Sequence, residues 1–261
     1  MNRIILPFVC CALVLCVVSC SKDNVNNNWN LQDTIDEEIE TTQKNSSSNV
    51  EYLGNFNYSD PFTEGLIFET LPDEEGYAVA SYDGASKNVV IPKIYRGFYV
   101  VRILDDAFKN ISKLETVSIP DSVHYIGHHA FYGCSKINNI NIPDNVTYIG
   151  QGAFSGCASL ISITIPDGVT TLRGDTFHGC SNLTEVIIPS SVTSIGNYDF
   201  SDCSELSTIT IPNTVTHIGQ SAFAGCSSLN TVYYEGREDD WQKIRIDSYN
   251  FELKTATRYY E

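Results

Sequence analysis

The sequence predicts a β-rich solenoid, a stack of 23-residue coils with an irregular cap at each end. Three observations carry this. One unit reads Leu160-x-x-Ile163-x-Ile165-Pro166-x-x-Val169-x-x-Leu172, then Phe177 and Cys180, and it recurs from Ile137 and from Leu183. The columns run without a gap: Phe108, Phe131, Phe154, Phe177, Phe200 and Phe223; Cys134, Cys157, Cys180, Cys203 and Cys226; Pro120, Pro143, Pro166, Pro189 and Pro212. Ile, Val, Thr, Tyr and Phe are plentiful, which favours strands, while charged residues make up only 18%, which argues against a coiled coil. A fixed period in the twenties means that each unit buries its apolar face against its neighbours alone.

The chain opens with Arg3 and an apolar run of 15 residues, 4–18, broken by Pro7. A membrane-spanning helix needs about 20 residues, so the run suits the hydrophobic region of a signal peptide. It ends Val17-Val18-Ser19-Cys20, which resembles the lipobox of bacterial lipoproteins. That resemblance implies a signal peptide of lipoprotein type over residues 1–19, cleavage before Cys20, and lipid on the sulfur and new amino group of Cys20. Several acyl chains together anchor a protein stably. Residues 20–50 are rich in Asn, Ser, Thr, Asp and Glu and poor in apolar groups. Such a segment buries too little surface to offset its ordering entropy, and it reads as a flexible tether.

Residues 51–110 read as an N-terminal cap with an irregular first coil. Strands are expected over 66–70, 77–82 and 89–91, with turn signals at Pro72-Asp73-Glu74-Glu75-Gly76 and Asp83-Gly84. Pro92 lies 28 residues before Pro120, so this coil carries five extra residues around 93–98. An atypical end unit protects the backbone groups that a first coil would otherwise expose.

Within the solenoid, 111–234, Ile163 and Ile165 share the inward face of a strand, and Ser162 and Thr164 point to solvent. Proline has no N–H and is expected to end this strand at the same corner of every coil. A second extended segment puts Val169 and Leu172 inward. Most coils then carry Ile-Gly, as in Ile126-Gly127, Ile149-Gly150, Ile195-Gly196 and Ile218-Gly219, where glycine would permit a left-handed turn. The coil at Leu172 has Arg173 in that column and Gly174 after it, so a local distortion is expected there. Ala-Phe follows, the ring filling the core, and Gly-Cys-Ser returns the chain to the next strand. The pattern ends at Tyr233-Tyr234-Glu235-Gly236. Residues 235–261 read as a C-terminal cap: a short helix begun by Asp239 and Asp240, Trp241 and Phe251 over the open core of the last coil, and a closing strand over 256–260.

With 32 acidic against 16 basic residues the net charge is -16. That argues against nucleic acid and anionic membrane surfaces as partners. Four of the nine cysteines lie in the N-terminal apolar segment and five form the repeat column. The column spacing leaves structural thiols, disulfides and metal open; parallel Cβ vectors and an odd number favour buried thiols, and no Cys-x-x-Cys pair occurs in the folded part. Asp121, Asp144 and Asp167 recur after Ile-Pro, where Asp suits a turn, and line up along an edge rather than facing across a cleft. No Gly-x-Ser-x-Gly elbow or phosphate loop is present, so the chain reads as non-catalytic and free of cofactors.

Surface columns supply the candidate binding residues. Tyr125, Tyr148, Thr171, Ser194 and His217 form one outward column, and two stacked tyrosines are natural contact anchors. His124 sits beside them as an outward strand residue, with His128 and His129 in the turn and Tyr132 nearby; they read as polar surface or as contacts to a protein or glycan, more than as metal ligands. Ser118, Asn141, Thr164, Ile187, Thr210 and Tyr233 form another outward column, with Thr116, Asn139, Ser162, Glu185, Thr208 and Thr231 beside it. This strip of hydroxyl and amide groups, with Asn141, Thr164, Glu185, Thr210 and Tyr233 as its candidates, competes with the tyrosines.

The consensus Leu-x-x-Ile-x-Ile-Pro-x-x-Val-x-x-Ile-Gly-x-x-Ala-Phe-x-x-Cys, over about residues 89–234, resembles the BspA-like leucine-rich repeat of bacterial surface proteins. The resemblance implies a right-handed leucine-rich-repeat stack in a cell-surface or secreted binding protein, some members being adhesins for host matrix proteins or other bacteria. It offers no catalytic residue to carry over. With the lipobox, it implies a monomeric, outer-membrane, surface-exposed lipoprotein of a Bacteroidetes bacterium that binds a protein or glycoprotein. A glycan-binding accessory lipoprotein and a ligand-free structural lipoprotein of the envelope are the alternatives. Asp33-Thr34-Ile35 and Asp121-Ser122-Val123 resemble the O-glycosylation sequon of some Bacteroidetes, though the repeat already explains the second.

Overall fold

The computed structural model describes residues 59–71 and 76–261. The expected signal peptide, Cys20, the tether, residues 51–58 and the turn at 72–75 lie outside the described residues. What is described is a stack of short parallel strands in two ladders. The first ladder comprises β3 (Asn88–Val90), β6 (Thr116–Ser118), β8 (Asn139–Ile140), β10 (Ser162–Thr164), β11 (Glu185–Ile187), β13 (Thr208–Pro212), β15 (Thr231–Glu235) and β17 (Thr257–Tyr260). The second, on another side of each coil, comprises β5 (Phe98–Ile103), β7 (Tyr125–Ile126), β9 (Tyr148–Ile149), β12 (Ser194–Ile195), β14 (His217–Ile218) and β16 (Arg245–Ile246). Partners sit 23 residues apart throughout the regular coils, as in Thr116↔Asn139, Ser162↔Glu185, Thr208↔Thr231, Tyr125↔Tyr148 and Ser194↔His217. No helix among the described residues is long and apolar enough to cross a membrane.

The core is a set of side-chain ladders. Rings Phe108 to Phe223 are fully buried and stack in sequence with centroids 5.0, 5.5, 5.7, 5.5 and 5.3 Å apart; Tyr82 continues the column 5.8 Å from Phe108. Phe154 and Cys157 are both fully buried. The five column cysteines are free buried thiols. Each Sγ–H donates to the carbonyl of the phenylalanine in the coil before it, at 3.0 Å for Cys134 to Phe108 and Cys226 to Phe200 and 3.2 or 3.3 Å for the rest. Burial pushes the Cys134 and Cys226 thiols up to about 12 and the three between them well above the ordinary range.

The glycine column has a different cause from the one its sequence suggests. Gly127, Gly150, Gly196 and Gly219 are absent from the left-handed region. A Cβ at Gly150 would lie 2.4 Å from His128 N and 2.5 Å from Gly127 C, and one at Gly127 would lie 2.5 Å from Asp105 N. Glycine is required because the coil beneath leaves no room for a side chain. The distortion at Arg173 follows. The second ladder is interrupted at this coil: β9 has no strand partner on that side and Thr171 makes only an isolated bridge to Ser194, while the coil's turn stays bonded to its neighbours. Gly174 turns with φ of 91°. Asp199, standing in the alanine column of the next coil, fills the gap: its carboxylate accepts N–H bonds from Gly174 at 3.0 Å, from Thr176 at 3.1 Å and from Gly196.

Proline does not end every first-ladder strand. In β13 the pairing runs on through Pro212, which sits opposite Glu235. Lacking an N–H, Pro212 can join that ladder only through its carbonyl.

At the N-terminal end, β1 (Leu66–Leu71) and β2 (Gly76–Tyr82) form an antiparallel hairpin, and β2 runs parallel to β5. The extra residues of the first coil form a second hairpin, β4 (Ile94–Tyr95) against β5, turning through Arg96 at φ 50° and Gly97 at φ 81°. Two left-handed residues in a two-residue loop match the strand twist.

At the C-terminal end come α1 (Glu238–Trp241) and α2 (Phe251–Thr255). Trp241 is buried edge-on to Tyr234, with ring centroids 5.3 Å apart. The expectation for Phe251 is overturned. Its ring is 73% exposed, and Leu253, two residues on along the same helical turn, points inward and is fully buried. Interior coils pass turn N–H groups to carbonyls of the next coil, as Phe200 does to Ala222 at 2.8 Å. Beyond the last coil Ser221 N–H still finds a carbonyl, that of Ser248 at 2.9 Å, but Phe223 and Gly225 have none to meet. Phe223 N–H donates instead to Asn250 Oδ1 and Gly225 N–H to Glu252 Oε1, both at 3.0 Å.

Candidate binding surfaces

Two outward surfaces follow from the two ladders. On the second, parallel pairing in register puts Arg102, Tyr125 and Tyr148 directly above one another. The two tyrosine rings stack at 4.5 Å with 6° between their planes. The Arg102 guanidinium lies over the outer face of Tyr125 at 5.0 Å, and that of Arg173, in the coil where the ladder is interrupted, lies over Tyr148 at 4.4 Å. The result is a four-tier stack, cation, ring, ring, cation. Ring pairs of this kind contribute about 0.5–1.5 kcal/mol beyond burial, and exposed to half-buried cation–π contacts about 0.5–2 kcal/mol each.

The polar groups around the stack are committed as well. His128 Nδ1 accepts the Gln151 N–H at 3.0 Å, so the neutral imidazole carries its proton on Nε2, which lies 3.1 Å from the Tyr148 hydroxyl. Asp105 Oδ1 accepts the His128 N–H at 2.7 Å. His124 is half-buried; burial first and the Arg102 charge second hold its pKa below the ordinary 6.5. Burial, Asp105 and Tyr148 push the Tyr125 hydroxyl up. Both ring faces of each tyrosine are therefore covered, and only rims and hydroxyls face outward.

Further along the same ladder, Ser194 Oγ is 3.5 Å from His217 Nδ1, and His217 Nε2 is 2.8 Å from Asp247 Oδ2, with Arg245 Nε 3.0 Å from Asp247 Oδ1. This resembles a hydrolase line only in residue type. The surrounding N–H groups of Thr193, Thr216, Gly219, Arg245 and Asp247 all donate to the stacked coils, and Gly196 N–H donates to Asp199, so none of these is left to hold an oxyanion. Arg245 also draws on the carboxylate that would orient the histidine.

The first ladder presents the other surface. Asn141, Thr164 and Glu185 are exposed, and Thr210 is half-buried. At its C-terminal end three large apolar side chains stand out of the sheet: Ile187 at 51% exposure, Tyr233 at 48% and Tyr259 at 52%. Tyr233 and Tyr259 are register partners on β15 and β17, with rings 5.3 Å apart. Their outer faces and edges are open. The surface thus runs from Val90, 46% exposed and paired with Ser118, through amides and hydroxyls to a larger aliphatic and aromatic end.

Four contributors are absent from the candidates read from sequence. Arg102 was one 23-residue step before Tyr125 in the same column, a signal that was there to be used. Ile187 stands in the outward column, but a strip read for its hydroxyl and amide groups gives its apolar member no weight. Tyr259 follows Tyr233 by 26 residues, outside the period, and Arg173 stands in the glycine column rather than in that of the tyrosines. Among the described residues, no cluster of three or more His, Cys, Asp or Glu is placed to hold a metal ion.

Comparison with known proteins agrees with this architecture. Residues 101–232 match the model of the BspA type leucine rich repeat region, in six copies. No curated protein matches the chain. Among solved structures, the Treponema pallidum leucine-rich repeat protein is 30% identical, with a TM-score of 0.62, and the match covers 78% of this chain and 98% of that one. A leucine rich cell surface protein of Faecalibacterium prausnitzii is 29% identical, with a TM-score of 0.50 over 68% of this chain and 54% of its own length. The pneumococcal vaccine antigen PcpA shares the fold at 18% identity, with a TM-score of 0.51 over 72% of this chain and 52% of its own.

Proposed function

Because this chain belongs to the BspA-type leucine-rich-repeat family, we propose that it is a lipid-anchored surface protein whose solenoid binds a protein or glycoprotein partner without catalysis. The observation that carries the choice of face is the exposed trio Ile187, Tyr233 and Tyr259 on the outer sheet of the first ladder. Rigid aromatic anchors beside short polar groups make an interface of the usual kind: a desolvated centre and a hydrogen-bonding rim. Asn139, Asn141, Thr164, Glu185 and Thr210 supply that rim. The sheet is held in register by the buried ladders beneath it, so little ordering entropy is lost on docking.

The same geometry turns the tyrosine stack into a clip. Tyr125 and Tyr148 spend their ring faces on each other and on two guanidiniums, which leaves a sugar no face to stack on there. The cell-surface description of the F. prausnitzii relative, the lipobox and the polar segment after Cys20 support anchoring at the outer membrane with the solenoid outward. Protease shaving of whole cells distinguishes this placement from a periplasmic one. Surface placement predicts loss of the solenoid with the membrane intact; protection until the cells are lysed would contradict it. Globomycin treatment and mutation of Cys20 to Ala test the anchor by whether the unprocessed precursor accumulates or the protein leaves the membrane fraction.

A further inference from the structure

The geometry points to a second binding site, a saccharide-sized cleft between the last coil and α1, separate from the sheet face and not dependent on it. The cleft holds about 490 Å3, room for one or two sugar rings. One wall is the corner after β13, where Asn213 and Thr216 lie; the other is α1 and the turns on either side of it, with Arg237, Asp240 and Lys243. Tyr234 forms its back.

Tyr234 supplies the observation that asks for a ligand. Only 2% of the residue is exposed, packed against Trp241 and Tyr260, yet among the described residues its hydroxyl has no hydrogen-bond partner. A phenol with so little exposure normally finds one, and here only water or a ligand in the cleft can supply it. Tyr234 is one of the residues that line the cleft, and its hydroxyl reaches solvent there rather than being shut inside the core. Burial and the nearby Asp240 charge push its pKa up. Asp240 lines the cleft beside it. One oxygen accepts from Lys243 Nζ at 2.7 Å and the other from Arg237 Nε at 3.2 Å, which brings one carboxylate and two cations to the same wall.

The ligand class follows from this set. A carboxylate, a carboxamide, a phenol and two cationic donors within one small cleft offer acceptors and donors in alternation, which suits the vicinal hydroxyls of a sugar. Val215 and Ile244 provide an apolar patch for a sugar C–H face. Two cations stand against one carboxylate, so a hexuronate is accommodated as well as a neutral hexose. A phosphate ester would have to displace Asp240 from both partners.

The experiment is saturation-transfer NMR and titration calorimetry on the full chain with glucose, galactose, mannose, N-acetylglucosamine, glucuronate, galacturonate and their disaccharides. At least one is expected to bind, with saturable transfer at millimolar concentration or below. Tyr234→Phe removes a hydroxyl that no protein group uses, so it is expected to leave the thermal midpoint unchanged and to weaken binding at least tenfold. Asp240→Asn is expected to weaken binding by as much, and Tyr233→Ala, which alters only the outer sheet face, to leave it unchanged. Absence of binding by every sugar in the panel would overturn the proposal. So would a Tyr234→Phe variant that binds as well as the parent, whether or not Asp240→Asn folds. Loss of protein binding in Tyr233→Ala with intact sugar binding keeps the two sites distinguishable; loss of sugar binding in that variant would contradict a separate cleft.

Discussion

A single residue out of column shows how tightly this solenoid constrains its members. Asp199 replaces an alanine and is fully buried, with its carboxylate on three backbone N–H groups. Desolvation outweighs those bonds and raises its pKa from 3.8 to about 6. The unfolded carboxyl titrates near its ordinary value, so between the two values the folded state holds the extra proton. The group therefore costs most above about pH 6, and stability recovers as the pH falls toward about 4, by roughly 3 kcal/mol in full. Thermal melts of the parent and of Asp199→Asn check this: the parent should gain stability relative to the variant between about pH 7.5 and pH 4.5. Equal pH profiles would refute it. The departure of Arg173 from its column was legible in the sequence, and so was a distortion there. Its repair was not, because Asp199 lies one coil further on and in a different column, and periodic reading links residues only within a column.

At the scale of one coil, the sequence told which residues face inward because strand alternation and the 23-residue period agree on it. Phe154, Cys157, Ile163 and Ile165 are all buried, and Thr164 is exposed. The pattern could not separate two reasons for glycine. A left-handed turn and a close approach both select the residue without a Cβ, and only coordinates show that Gly150 is of the second kind. Gly150→Ala should therefore destabilise the fold by about 2–4 kcal/mol, against about 1–2 kcal/mol for a left-handed turn glycine with open space around it, and chemical denaturation measures the difference. The cysteine ladder carries its own expectation. Thiols buried to the last atom, with Sγ–H bonded and pKa pushed upward, present no thiolate. Alkylation followed by peptide mass mapping should label none of Cys134, Cys157, Cys180, Cys203 and Cys226 in the native protein and all five in denaturant. Native labelling of Cys180, the middle rung, would mean that the stack opens.

For the molecule as a whole, the ends were harder to read than the middle, because a repeat describes its interior and an end is defined by the missing neighbour. The strand over 257–260 and the burial of Trp241 were legible; the inward turn of Leu253 in place of Phe251 was not, since a helix of five residues gives too little periodicity to fix its phase. Nor could sequence foretell that Asn250 and Glu252 lend side-chain oxygens to the N–H groups of Phe223 and Gly225. Asn250→Ala should cost about 1–3 kcal/mol through the unpaired N–H and carbonyl it leaves. It should also raise amide exchange at Phe223 above that at Phe177, which keeps its bond to Asp199 O at 2.8 Å.

The stack of identical rungs leaves only its outside free for recognition, and of the two ladders the first alone offers uncovered anchors. Surface plasmon resonance against a panel of extracellular-matrix glycoproteins tests this most directly, comparing the parent with the Tyr233→Ala/Tyr259→Ala and Tyr125→Ala/Tyr148→Ala variants, each checked for folding. The account predicts that a glycoprotein bound by the parent loses roughly tenfold or more in affinity with the first variant and little with the second. Equal binding by the first variant, or a loss confined to the second, would contradict it.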